Sequence, residues 1–218
     1  MSSSVIQLLV LAGIAIFLIL RLKDVLGTRD GFEKPTAPKP IAKKDRAGFE
    51  VIEGGPDRDI TDHAKEGSET AMALAAMKTA EPSFGVAEFL GGARGAYEMI
   101  LMAFENGELD QIKPFLSDDV FETFSDVVEQ RKESGLSIDA KFVGVRELVL
   151  TNAKFNKATA EAELTVKFVG ELTSVVRDKA GKVIEGNASE IKRQKDVWTF
   201  GRKMGVDDPN WQLVATGE

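Results

Sequence analysis

The stretch KATAEAELTVKF, residues 157–168, alternates without a break. Ala158, Ala160, Ala162, Leu164, Val166 and Phe168 occupy one set of positions. Thr159, Glu161, Glu163, Thr165 and Lys167 occupy the other. Successive side chains of a β-strand point to opposite faces, so this period of two predicts a strand with one buried and one wet face. Such strands belong to antiparallel sheets.

The flanking sequence extends the sheet. IDAKFVGVRELVLTNAKF (138–155) predicts a preceding strand with an irregularity near Gly144. SVVRDKAGKVIEG (174–186) places Asp178, Lys179, Ala180 and Gly181 in a hairpin loop. SEIKRQKDVWTFGR (189–202) and NWQLVAT (210–216) predict two closing strands. In the first of them Trp198, Phe200 and Arg202 share one face. Trp211, Leu213 and Ala215 alternate likewise in the second.

Upstream the period changes. In VAEFLGGARGAYEMILMAFENG (86–107), Val86, Phe89, Leu90, Ala93, Tyr97, Ile100, Leu101 and Phe104 recur at three- and four-residue steps. That predicts a helix with one broad buried face, stopped at Asn106-Gly107. Gly91, Gly92 and Gly95 lie inside it, each unfavourable by roughly 1 kcal/mol relative to Ala, and close approach of another backbone is the expected compensation. A second helix is signalled by Ser117 as N-cap and by Asp118 and Asp119 in its first turn. Phe121, Phe124, Val127 and Val128 form its expected buried stripe, and Gly135 its stop. Helices first and antiparallel strands after define an α+β domain, with helices on one face of a sheet.

The N-terminus has a different character. VIQLLVLAGIAIFLILRL (5–22) is apolar from Val5 through Leu9, Ile14 and Phe17 to Leu20, interrupted only by Gln7. With the uncharged serines before it, the run approaches the length a bilayer core requires. No positive charge precedes it and no small-residue cleavage site follows, so it predicts an uncleaved transmembrane anchor rather than a signal peptide. Arg21 and Lys23 follow directly and begin a basic flank, which places the rest of the chain on the cytoplasmic side. That flank also suits anionic lipid headgroups.

The domain organisation follows. Residues 1–23 are the anchor, and 24–60 a Pro/Gly-rich basic linker carrying Pro35, Pro38 and Pro40. Residues 61–82 form an amphipathic helical segment with a thin apolar face through Met72, Ala75 and Ala76. Residues 83–218 are the folded domain.

Composition narrows the function classes. The net charge is −7, which argues against nucleic acid as a partner because phosphate contacts need clustered Lys and Arg. There is no cysteine, and His63 is the only histidine. Thiolate metal sites and cysteine nucleophiles are excluded, and no cofactor is expected. No serine sits in a nucleophile-elbow pattern, and the domain's acids fall on wet faces or turns, so a non-enzymatic role is expected. Tyr97, Phe121, Phe124, Phe168, Trp198, Phe200, Arg202 and Trp211 are the candidate pocket or partner-binding residues. The aromatics serve either as core or as the wall of a pocket. Arg202 either caps the aromatics at a rim or pairs with an acid.

Three separated stretches carry a family resemblance. FLGGARGAYEMILMAFENGELDQIKPFLSDDVFETF (89–124), RDKAGKVIEG (177–186) and DVWTFGRKMGVDDPNWQLVAT (196–216) resemble, in this order, the Tim forty-four-like domain family. That family includes the mitochondrial inner-membrane adaptor that ties an import motor to the protein translocase. The resemblance implies a cone of helices on a curved antiparallel sheet, similar to nuclear transport factor two and cystatin folds. It also implies a protein partner at the membrane, such as a translocase, chaperone or envelope-assembly component. An anchor and a short linker replace the long motor-binding region, a layout that resembles alphaproteobacterial membrane-anchored relatives. The resemblance therefore implies a bacterial inner-membrane adaptor with a cytoplasmic domain. A membrane-linked domain for a lipid or apolar small ligand is the alternative.

Overall fold

A computed structural model describes residues 56–217. The anchor, its basic flank at Arg21 and Lys23, and most of the expected linker lie outside the described residues. Among the described residues no helix is long and apolar enough to cross a membrane.

The expected linker runs too far. Asp57 caps a short helix, α1 (Arg58–Thr61), by accepting from the Asp59 N–H, and Ile60 is buried. The domain therefore begins before residue 61. The expected helical segment is also not continuous. Its helix, α2 (Glu69–Ala80), starts only where the Ser68 hydroxyl accepts from the Ala71 N–H. Its buried face is Ala71, Leu74 and Met77, one position off the expected one, and Met72 is 58% exposed. Leu74 outweighs the alanines as a burial target, so it sets the rotation of the helix. The buried face joins the domain's own core.

Helix α3 (Val86–Asn106) follows as the sequence predicts and ends at Gly107, whose φ of 71° closes the last turn. Its start was not legible locally. Gly85 has no side chain to cap with, and Asp59 takes its place, accepting from the Val86 and Ala87 N–H groups at 2.8 and 2.9 Å. Lys78 holds the same carboxylate at 2.7 Å and Asp57 at 2.7 Å. Burial raises the Asp59 carboxyl, but Lys78 and the two helix N–H groups outweigh it and hold the group below its ordinary value.

The glycines of α3 overturn an expectation. A Cβ placed on Gly91, Gly92 or Gly95 would meet nothing within 4 Å, so no backbone approaches them among the described residues. Replacing all three with alanine is expected to stabilise the domain by about 2–3 kcal/mol, because only helix propensity changes. Urea titration measures this, and an unchanged midpoint would mean that this face is not free.

Two short 3₁₀ turns, Leu109–Gln111 and Lys113–Phe115, lead to α4 (Asp118–Glu133), capped by the Ser117 hydroxyl through the Val120 N–H. Val120 and Val128 are its buried residues, while the expected Phe121, Phe124 and Val127 are half-buried. Gly135 ends the segment at φ 66°, as the sequence suggests.

The sheet is a four-stranded antiparallel meander in chain order: β1 (Ser137–Asn156), β2 (Glu161–Arg177), β3 (Val183–Lys203) and β4 (Gln212–Gly217). Ala158 and Ala160, expected on a strand, belong to the β1–β2 turn, and Ala160 adopts φ 59°. β1 gains an extra residue at three points, the first between Phe142 and Gly144. The segments read as separate strands on either side of residue 187 are one strand. Leu172 pairs with Lys192 and Ser174 with Asn187, so residues 188–191 bulge from β3. Helix and sheet together give the α+β class that the sequence predicts. The core lies between α3 and the inner face of the sheet.

Candidate functional site

Register fixes which residues meet. Along β2 the even positions Ala162, Leu164, Val166 and Phe168 face inward and are buried. Their partners on β3 are Arg202, Phe200, Trp198 and Asp196. A single face thus carries a basic group, two large aromatics and an acid in a row.

Tyr97 of α3 is the centre of this face and is 0% exposed. Its ring stacks on Phe168 at 4.4 Å and lies 4.8 Å from Trp198. Gly170 makes the stacking possible, since a Cβ there would lie 2.5 Å from the tyrosine oxygen. The hydroxyl donates to Asp196 at 2.6 Å, and Gln194 donates to the other carboxylate oxygen at 3.0 Å. Burial first, and then the Asp196 carboxylate, push the Tyr97 phenol well above its ordinary value. The phenol is therefore a fixed donor, and a buried polar atom is satisfied.

At the other end of the wall Phe89 packs edge-on to Phe200 at 5.9 Å and to Trp211 at 4.8 Å. Trp211 also meets Phe84 at 6.0 Å. Arg202 lies over the Trp211 ring at 5.1 Å and donates to Glu81 at 2.6 Å. The second Glu81 oxygen accepts from the Gly205 N–H at 2.9 Å. Of the two readings of Arg202, pairing with an acid matches this geometry.

The candidate residues therefore divide. Tyr97, Phe168, Trp198, Phe200, Arg202 and Trp211 come together in one contiguous wall. Phe121 and Phe124 do not join it. Phe124 meets Phe104 at 4.5 Å, Arg131 lies over Phe104 at 4.2 Å, and Lys113 lies over Phe121 at 5.0 Å. Asp196, Gly170 and Glu81 were missed. Asp196 shares its face with Trp198 by simple alternation, so that signal was present. Glu81 lies 121 residues from Arg202 in sequence, and nothing local marks it.

The wall is filled by Tyr97. Two surface depressions lie elsewhere. One, of about 260 Å³, is open and apolar, lined by Ile60, Ala71, Met72 and Ala75 of α1 and α2. The other, of about 190 Å³, lies between Glu105, Val128, Arg131 and Ile138. Burial raises the Glu105 carboxyl, and Arg131 only partly opposes this. None of the candidate aromatics lines either depression. No group of acids or His63 among the described residues is arranged to hold a metal ion.

The human "Mitochondrial import inner membrane translocase subunit TIM44" is 24% identical over 150 residues, 67% of this chain and 33% of that protein. An Arabidopsis thaliana protein, "Mitochondrial import inner membrane translocase subunit TIM44-1", is 20% identical over 163 residues, 72% of this chain and 34% of its own length. The chain thus spans about a third of the length of these curated relatives. A solved structure, "Crystal structure of intermembrane space region of chloroplast protein ARC6", superposes with a TM-score of 0.40 at 12% identity, covering 60% of this chain and 92% of that one. Residues 70–218 match the family described as Tim44-like domain, a span that takes in α2, α3, α4 and the whole sheet, and the chain belongs to that family.

Proposed function

We propose that the chain is a membrane-tethered adaptor. Its apolar segment between Val5 and Leu20 anchors it in a bacterial inner membrane, with the folded domain on the cytoplasmic side. The domain binds a protein partner engaged in translocation, insertion or envelope assembly. The observation that carries this reading is the filled aromatic wall: Tyr97 occupies the space a ligand would take, leaving outer surfaces to do the binding. Membership of the Tim44-like family and the naming of its mitochondrial relatives as import translocase subunits support it. A cone-like form related to nuclear transport factor two is part of the same proposal. Tethering raises the effective concentration of a partner at the membrane without any new contact.

The role is binding and not catalysis, with no cofactor. The Tyr97–Asp196 pair resembles an acid–base couple, yet Tyr97 is out of reach of any substrate and already spends its proton on Asp196. A second reading, a lipid or apolar small-ligand domain, is favoured by the apolar depression at Met72. Chemical crosslinking in intact membranes, followed by mass spectrometry, tests the adaptor. A translocation or insertion component joined to this chain is the expected result. Recovery of lipid adducts alone would sink the adaptor and leave the second reading.

A further inference from the structure

The depression between α3, α4 and the start of β1 holds two charges that the fold leaves unpaired. It forms where both helices end. Gly107 closes α3, and α4 packs against it: a Cβ on Gly107 would lie 3.2 Å from a Val128 methyl carbon and 3.7 Å from Lys132 Cε. Leu136, Ser137 and Ile138, at the start of β1, complete the lining. Val128, Leu136 and Ile138 are its apolar part. The volume of about 190 Å³ lies below the roughly 300–1,000 Å³ of drug-sized sites and above the roughly 150 Å³ of a cavity that holds benzene. One small molecule fits this space, and a partner helix does not.

Glu105, Arg131 and Lys132 are the charged residues of the lining. Glu105 and Arg131 are half-buried, and Lys132 is exposed. Arg131 donates through Nη1 to the Phe104 carbonyl at 3.2 Å and so caps the end of α3. Its other nitrogens have no hydrogen bond among the described residues and are not sealed from solvent. Burial raises the Glu105 carboxyl, and Arg131 and Lys192 oppose this by charge alone, without a hydrogen bond. Burial likewise lowers the Arg131 guanidinium, against the charge of Glu105. Each group feels the other without bonding to it. The neighbouring charges are engaged or stand apart. Lys192 pairs with Glu185 at 3.2 Å, and Glu108 accepts from Gln111 at 3.1 Å. Lys179 and Glu133 lie outside the lining. One carboxylate and one guanidinium, beside an exposed lysine, remain open to a ligand.

We propose that this depression binds a zwitterionic α-amino acid with an aliphatic side chain, such as leucine. The ammonium donates to Glu105, the carboxylate accepts from Arg131 and Lys132, and the side chain covers Val128, Leu136 and Ile138. A simple anion fits less well, because it meets the Glu105 carboxylate as a like charge. A simple cation meets Arg131 in the same way and leaves it unmatched. A zwitterion matches both groups at once with charge-assisted hydrogen bonds. Both groups have already lost much of their water in the free protein, so pairing them adds little further desolvation cost. The carbonyl ends of α3 and α4 converge at Asn106 and Lys132 and favour the ammonium. The site goes beyond the adaptor reading and does not depend on it.

The test is calorimetric titration of the purified full chain in detergent micelles at neutral pH, with protein-free micelles as the blank. Leucine is the probe. Two analogues divide its charges: 4-methylpentanoate lacks the ammonium, and 3-methylbutylamine lacks the carboxylate. The expected result is saturable leucine binding with a Kd on the order of 1 mM, and each analogue at least about tenfold weaker. Glu105→Gln keeps the shape of the side chain and removes its charge. It should weaken leucine at least about tenfold and strengthen 4-methylpentanoate, a reversal that a merely structural role of Glu105 does not produce. No saturation by leucine up to about 20 mM would overturn the proposal. So would equal binding of either analogue, which would make this a site for a plain anion or a plain cation. Unchanged leucine affinity in a folded Glu105→Gln protein would overturn it too. If that variant does not fold, the three ligands on the wild-type chain decide alone. Loss of the site leaves the adaptor standing, since that reading is tested by a crosslinked protein partner.

Discussion

Replacing Tyr97 with alanine is expected to destabilise the domain by about 3–5 kcal/mol, the range for deleting a large aromatic from a packed core. Three effects combine. The ring loses its stack on Phe168 and its contact with Trp198. A void opens against Gly170, where no side chain can fill it. Asp196 loses its strongest donor, although Gln194 retains one oxygen. Tyr97→Phe separates these effects. It keeps the stack and should cost about 1–2 kcal/mol, the value of one hydrogen bond to a half-buried carboxylate. Gly170→Ala alone should cost about 1–3 kcal/mol by overpacking against the tyrosine. In the Tyr97→Ala background it should cost far less, because the obstructing ring is gone. Urea unfolding of the four proteins measures the coupling. Strictly additive losses would mean that the two residues do not share the space.

Much of this arrangement was legible in the sequence, and the reasons are physical. Alternation fixes a face as soon as a strand is recognised. Trp198 and Phe200 therefore declared their shared side, and the long period-3.6 run of α3 declared its partner surface. Failures came where a local pattern competes with distant contacts. The rotation of α2 was set by Leu74 and Met77 meeting the core, and a face of alanines and methionines carries too weak a signal to show that. The start of α3 depends on Asp59, 27 residues upstream of the N–H it caps, while the residue at the cap position is a glycine. The glycines of α3 suggested a neighbour that the described residues do not supply. Phe121 and Phe124 were grouped with the tryptophans by residue type, but α4 lies on the side of Phe104 and carries them away from the wall. Composition identifies aromatics as core material without saying which of two clusters they join.

The second large effect concerns Glu81 and Arg202, and its asymmetry is the informative part. The Arg202 side chain is 7% exposed and that of Glu81 18%. Removing the acid strands the more buried charge. Arg202 Nε already lacks a partner among the described residues, so the guanidinium has little left to lean on. Glu81→Gln is therefore expected to cost about 2–4 kcal/mol, somewhat below the full penalty for breaking a buried pair because the acid is partly wet. Arg202→Met should cost less, about 1–2 kcal/mol. The methionine keeps the packing on Trp211, and Glu81 keeps the Gly205 N–H and reaches water. The pair also predicts a pH response. Burial raises the Glu81 carboxyl, but the Gly205 N–H and Arg202 outweigh it and hold the group below its ordinary value of 4.5. A depressed acid adds stability that is fully present above 4.5 and lost as pH falls through the folded value. The urea midpoint of the wild type should therefore drop on acidification below that pH, and Glu81→Gln should flatten the drop. An equal drop in both proteins would assign it to other carboxylates. If Arg202 acted instead as a rim for a partner, Arg202→Met would abolish crosslinking while leaving the midpoint alone. The geometry requires the opposite: a lower midpoint with crosslinking retained, because a guanidinium this deeply covered has no surface to offer.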